Sequence, residues 1–175
     1  KDLLRRARKE AGVEIEVVSG VEEARLIHLG VRRALELYDR RLVLCDIGGG
    51  STELLIGERG EALASVSFKL GAVRLTNRFF AAERLHPSAM DSCRRHIQGV
   101  LSSFDRAIEE HGFEVAVGSS GTIEQVFRLA RGLAGEDPLR TLNAAVLTRK
   151  QVTAVTEVLI EARSAGTTSE LADLD

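Results

Sequence analysis

Apolar residues recur along this chain with two different periods, and the places where one period gives way to the other mark its elements. Residues 2–11 read as a short basic helix stopped by Gly12, and VEIEVV over 13–18 alternates as a strand does. Ser19-Gly20-Val21-Glu22 has the S-x-x-E form of a capping box and predicts a helix to about Tyr38. On it Ala24, Ile27, Val31, Ala34, Leu35 and Tyr38 form one apolar stripe. Three closely spaced strands follow at 42–47, 53–57 and 62–69, with Glu58-Arg59-Gly60 as the second turn, so an antiparallel meander is expected. A helical patch runs from Gly71 to about Phe80, and Pro87-Ser88 opens a long helix to His111. Its core face is Met90, Cys93, Ile97, Val100, Leu101, Phe104 and Ile108. Val115-Ala116-Val117 is a short buried strand feeding a helix to about Arg131, and the Thr148 to Gln151 capping box starts a last helix to about Ala165.

Three antiparallel strands, then a helix, a parallel strand and another helix make the pattern of one lobe of a ribonuclease H-like α/β fold. There is no internal repeat and no low-complexity linker. A mix of 44% hydrophobic and 29% charged residues is that of a soluble globular chain long enough to bury a core. The net charge of -2 and the absence of Trp argue against nucleic acid as a partner. No apolar run is long enough to span a bilayer, and the N-terminal stretch lacks the centre of a secretory signal. Cys45 and Cys93 belong to no ligand pair and read as small hydrophobes in a reducing compartment, so a cytoplasmic location is expected. A first residue that is not Met and an acidic tail after the last helix lead us to expect a piece of a longer protein.

Chemistry concentrates where the first meander strand ends. In LVLCDIGGGSTE, residues 42–53, four apolar residues carry Asp46 straight into Gly48, Gly49 and Gly50. A charge at the end of a buried strand is costly unless it is paired or holds a metal. Three glycines let backbone amides converge on an anion, and Ser51, Thr52 and Glu53 add hydroxyls and a second carboxylate. Two acids around such a cradle point to a divalent cation bridging phosphate oxygens, whereas a lone GGG would be an ordinary hairpin turn. A second candidate is Gly118-Ser119-Ser120-Gly121-Thr122, between a strand and a helix start, where free amides and the helix dipole favour an anion. Its plain alternative is N-capping by Ser119 or Ser120.

Other residues carry less. The four histidines are scattered without metal-ligand spacing, and Arg25, Arg32 and Arg33 read as a solvated face. Lys69, Arg74 and Arg78 follow the third strand and stand as candidates to meet a polyanion. Phe79, Phe80 and Phe104 read as core.

With VVSGVEEARLIHLGV at 17–31, DIGGGSTELLIG at 46–57, SFKLGAVRLT at 67–76 and AVGSSGTIE at 116–124, the chain resembles the Ppx/GppA family. These are exopolyphosphatases and guanosine pentaphosphate phosphohydrolases of the actin-like ATPase superfamily. The resemblance covers nearly the whole chain. It implies that residues 1–40 end a first lobe and that 41–175 make most of a second, while the family's opening D-x-G-S-N-S loop and its C-terminal helices lie outside this sequence.

By position, Glu23 resembles the family's proposed catalytic base, and Glu53 the acid that helps orient water and Mg2+. Asp46 would join Glu53 on the metal, with Gly48 to Ser51 on phosphate. The resemblance implies hydrolysis of terminal phosphate from polyphosphate or guanosine pentaphosphate, with water as nucleophile, and makes a homodimer of the intact protein an expectation. Read from the residues alone, Glu22 would be occupied by the capping box, which leaves Glu23 free to face a cleft. The competing readings are an ATP-dependent kinase or chaperone ATPase of the same superfamily, and a silent lobe that binds phosphorylated ligands.

Overall fold

The computed structural model describes residues 2–81, 85–137 and 139–165. Its centre is a four-stranded sheet in the order β3-β2-β1-β4. Strands β1 (Leu42–Ile47), β2 (Thr52–Glu58) and β3 (Glu61–Phe68) are the expected antiparallel meander, and β4 (Val115–Ser119) lies parallel to β1. Arg59 and Gly60 both take positive φ in the β2–β3 turn, the conformation that matches the twist of a tight hairpin.

Alternation along the strands separates two faces. Leu42 and Leu44 of β1 and Leu55 of β2 point to one of them, where they meet Ala24 of helix α2 (Gly20–Ala34), which follows the N-terminal α1 (Asp2–Ala11), together with Ile27, Val31, Val115 and Val117. The opposite face, with Val43, Leu54, Ile56, Val66 and Phe68, packs against α3 (Ala72–Phe79), α4 (Pro87–Leu101) and α5 (Asp105–His111) through Leu75, Ile97, Val100, Leu101, Phe104 and Ile108. Helices on both faces of a mixed sheet are the α/β arrangement that the pattern predicts. Helix α6 (Gly121–Leu133) follows β4, and α7 (Arg149–Ala165) packs on α6, each burying two residues.

Four expectations are corrected. Residues 13–18 form no strand: Val13, Ile15, Val17 and Val18 are exposed, because no neighbouring strand among the described residues offers a ladder to join. The helix after Ser19 ends at Ala34 rather than Tyr38, with Leu35 already extended. The helix from Pro87 breaks at Leu101 into a 3-10 turn, Ser102–Phe104, before α5. Ser102 and Ser103 explain the break, since their hydroxyls donate to the carbonyls of Gly99 and Val100 and tighten the turn. Phe79 and Phe80, expected in the core, are half-buried, and the Phe79 ring lies 5.5 Å from His96.

Helix α2 runs the length of the sheet on the first face. Two side-chain-free positions, one on a strand and one in a turn, mark its path: a Cβ built on Gly57 would lie 2.6 Å from His28, and one on Gly60 would lie 2.1 Å from Arg32. At its start Gly20 meets β3 in the same way. His28 is 1% exposed, and neither ring nitrogen has a hydrogen-bond partner among the described residues. Burial, and then the Arg32 charge, hold its pKa below the usual histidine value. The unfolded chain therefore binds this proton more readily than the fold, and stability is lost as pH falls below about 6.5. Thermal unfolding between pH 7.5 and 5.5 should show a falling Tm that flattens in His28→Leu, a substitution expected to cost little at neutral pH because it removes two unpaired polar atoms.

Candidate active site

The strand registers bring the predicted acids together. Asp46 of β1 and Glu53 of β2 are direct cross-strand partners, Glu53 faces Ser67 of β3, and Asp46 faces Ser119 of β4. One polar row, Ser67-Glu53-Asp46-Ser119, thus crosses the sheet at the end where β1 runs out, one layer beyond the apolar row that contains Leu55 and Leu44. Both acids are buried: Glu53 is 2% and Asp46 9% exposed. Each has a serine at its outer side. The Ser67 hydroxyl donates to Glu53 Oε1 at 2.7 Å, and Ser119 stands beside Asp46 in register, where its hydroxyl favours the charged carboxylate.

Two adjacent buried carboxylates repel each other and lack water, so the site stores electrostatic cost. Burial first, and the Glu53 charge, push the Asp46 pKa up, while the Ser119 hydroxyl opposes the shift. Because the fold then holds the Asp46 proton more tightly than the unfolded chain, this contribution to stability is present below about pH 3.8 and is lost as pH rises through the raised value. At neutral pH Asp46→Asn should therefore raise the Tm of the protein in chelator while removing any stabilisation by added divalent metal. Melting curves with and without metal measure both effects.

The glycine loop sits at the end of this row, with a geometry that differs in detail from expectation. None of Gly48, Gly49 and Gly50 takes a positive φ, and Gly48 N–H is used up closing the turn onto Ser51 O at 3.0 Å. The amides of Gly49, Gly50 and Ser51 donate to no protein acceptor among the described residues. What the glycines provide is close approach. The segment after β3 lies against the loop, with Ala72 N–H on Gly48 O, Arg74 N–H on Gly49 O and Arg74 Nε on Gly50 O at 2.9 Å. Arg74 is thus a splint for the loop as well as an exposed cation beside it.

The second loop is placed alongside. Gly118 and Ser119 belong to β4, and Ser120 is the residue before α6, with φ +86. The plain alternative, capping by a serine, does not occur: the Ser120 hydroxyl donates instead to Ile47 O at 2.8 Å, tying α6 to the end of β1. The first-turn amides of α6, which include those of Gly121 and Thr122, are left without a side-chain cap, as an anion site at a helix start requires.

Glu23 lies in the first turn of α2. Ser19 caps this helix by accepting from Glu22 N–H, but the Glu22 carboxylate pairs with Arg25 at 2.8 Å instead of closing the capping box. Either way Glu22 is occupied, and Glu23 is exposed without a side-chain partner among the described residues. Gly20, three residues earlier, holds this turn against the acid row, since a Cβ there would lie 2.5 Å from Ser67 Oγ and 3.5 Å from Glu53 Oε1.

The Ppx/GppA phosphatase family matches this sequence over residues 1–174. The chain belongs to that family. Among solved Ppx/GppA-type structures it is similar to an exopolyphosphatase from Cytophaga hutchinsonii, at 27% identity and a TM-score of 0.80, over 99% of this chain and 58% of that one. It is also similar to the type II variant of the Aquifex aeolicus Ppx/GppA phosphatase, at 25% identity and a TM-score of 0.69, over 91% of this chain and 51% of that one. It therefore spans between half and three fifths of the length of these relatives.

Within the Ppx/GppA frame the sequence missed Ser67, Gly20 and the splinting role of Arg74. The SFKLGAVRLT motif contains two of the three, but only strand pairing shows that its serine faces Glu53, and only the packing of α3 on the loop shows that its arginine grips Gly50.

Proposed function

We propose that the full-length protein is a phosphohydrolase that releases terminal phosphate from inorganic polyphosphate, with Mg2+ as cofactor. The observation that carries the reading is the register pairing of Asp46 with Glu53 beside a loop whose Gly49, Gly50 and Ser51 amides have no protein acceptor among the described residues. Family membership supports it, as does the likeness to an exopolyphosphatase.

The donor set fits magnesium. No cluster of three or more His, Cys, Asp or Glu suited to a metal occurs among the described residues, so a metal here would rest on the two carboxylates and on substrate and water oxygens. Magnesium binds in that way, whereas structural zinc takes four protein ligands. When bound it would neutralise charge on the transferring phosphoryl group.

The chain's own groups would do the rest. The amides of Gly49 to Ser51 and of the α6 first turn would hold the terminal phosphate and stabilise charge on its oxygens. Glu23 would accept a proton from the attacking water as its oxygen bonds to the terminal phosphorus, and the bridging oxygen would leave with the shortened chain.

Lys69, Arg74 and Arg78 are exposed and pair with no carboxylate among the described residues, in the stretch that grips the loop. Three cations whose charge no carboxylate among the described residues offsets suit a linear polyanion, which favours polyphosphate over guanosine pentaphosphate. Comparing kcat/KM for the two substrates tests this preference. A reaction in 18O-labelled water should place one labelled oxygen in each phosphate released. Transfer to an acceptor without label would point to a kinase.

A further inference from the structure

The Ser67 hydroxyl is the only donor to the Glu53 carboxylate among the described residues, although Glu53 is 2% exposed and stands next to a second acid. A carboxylate so placed keeps its orientation only through the groups that touch it. The same serine is also the seat of α2: Gly20 is packed so closely on it that a Cβ would fall 2.5 Å from both Ser67 Cβ and Ser67 Oγ. Ser67 therefore touches the buried acid with its oxygen and the start of the helix carrying Glu23 with its whole side chain.

We propose that Ser67 is a positioning residue, whose hydroxyl fixes the orientation of Glu53 and whose contact with Gly20 sets where the first turn of α2, which carries Glu23, sits on the sheet. Its catalytic consequence rests on the phosphohydrolase reading, while the coupling of Ser67 to Glu53 does not. The two contacts are separable. Ser67→Ala removes the hydroxyl but keeps the Cβ on which Gly20 rests. Gly20→Ala keeps the hydroxyl and forces the helix start away from it.

The test uses full-length protein and two readouts. In steady-state phosphate release from polyphosphate, Ser67→Ala should lower kcat about tenfold, in line with loss of a hydrogen bond to a charged group, and leave KM within about twofold. Gly20→Ala should lower kcat at least as far. In thermal unfolding, Ser67→Ala should lower Tm in the wild-type background and leave it unchanged in Glu53→Ala, since a residue acting through Glu53 loses its effect when that partner is gone. Equal Tm losses in the two backgrounds would overturn the coupling. A rise in KM with kcat unchanged would overturn the catalytic consequence and make Ser67 a substrate contact. Coupling in the unfolding cycle, with no phosphate release by wild-type protein, would uphold the positioning of Glu53 and reject the hydrolase reading instead.

Discussion

Replacing Glu53 with alanine in the full-length protein is expected to lower phosphate release by about 10²- to 10⁴-fold, the range lost when a group acting on the transition state is removed. Glu53 is buried, paired in register with Asp46, and bonded to Ser67, so its loss removes half of the proposed metal site without touching the apolar row beneath it. Folding should survive. Glu23→Ala should reduce turnover on the same scale for a different reason: Glu23 is exposed, has no side-chain partner among the described residues, and bonds through its backbone N–H to Ser19 O, so only its carboxylate is at stake. The two variants should differ in metal response. Half-saturation by Mg2+ should shift upward in Glu53→Ala and stay unchanged in Glu23→Ala, which magnesium titrations of kcat would show.

Gly71→Ala is expected to be nearly as damaging, although Gly71 touches no proposed catalytic side chain. A Cβ at this position would stand 2.3 Å from the carbonyl carbon of Gly49 and 2.4 Å from that of Gly50. Both obstacles are backbone, so the glycine loop itself would have to move. Overpacking of this kind costs about 1–3 kcal/mol in stability, and a misplacement of about 1 Å at a reacting centre costs on the order of 10²-fold in rate. Gly50→Ala is the stability control, because a Cβ there meets nothing within 4 Å. Melting curves for the two variants should separate sharply, and kcat of Gly71→Ala should fall well below that of the wild type. Similar Tm values would show that the contact between 71 and the loop is looser than described.

Much of this site could be seen in the sequence because it lies in short, contiguous signals. Asp46 announced itself as a charge ending an apolar run, and the glycines, Glu53 and the strand into Gly118 to Thr122 followed directly. The meander was legible for the same reason, since Leu42, Leu44, Leu55 and their neighbours alternate over strands joined by tight turns. The partners of these residues were not legible. That Ser67 faces Glu53, or that Ser120 bonds Ile47 rather than capping its own helix, depends on register and on one positive φ. Alternation alone also misled at 13–18, because a strand exists only where another strand receives its hydrogen bonds. In the helix from Pro87, the apolar period continued through Leu101 and Phe104 while Ser102 and Ser103 diverted the backbone, a local competition that periodicity does not register.

The proposed role of Asp46 and Glu53 is to form the charge-bearing heart of a metal-dependent phosphohydrolase site. Phosphate release from long-chain polyphosphate, followed across a magnesium titration for the full-length wild type and Glu53→Ala side by side, tests it most directly. Release should rise from near zero with magnesium in the wild type and stay at least about 10²-fold lower in the variant at every magnesium concentration. Equal release by the two proteins, or wild-type release indifferent to magnesium, would contradict it.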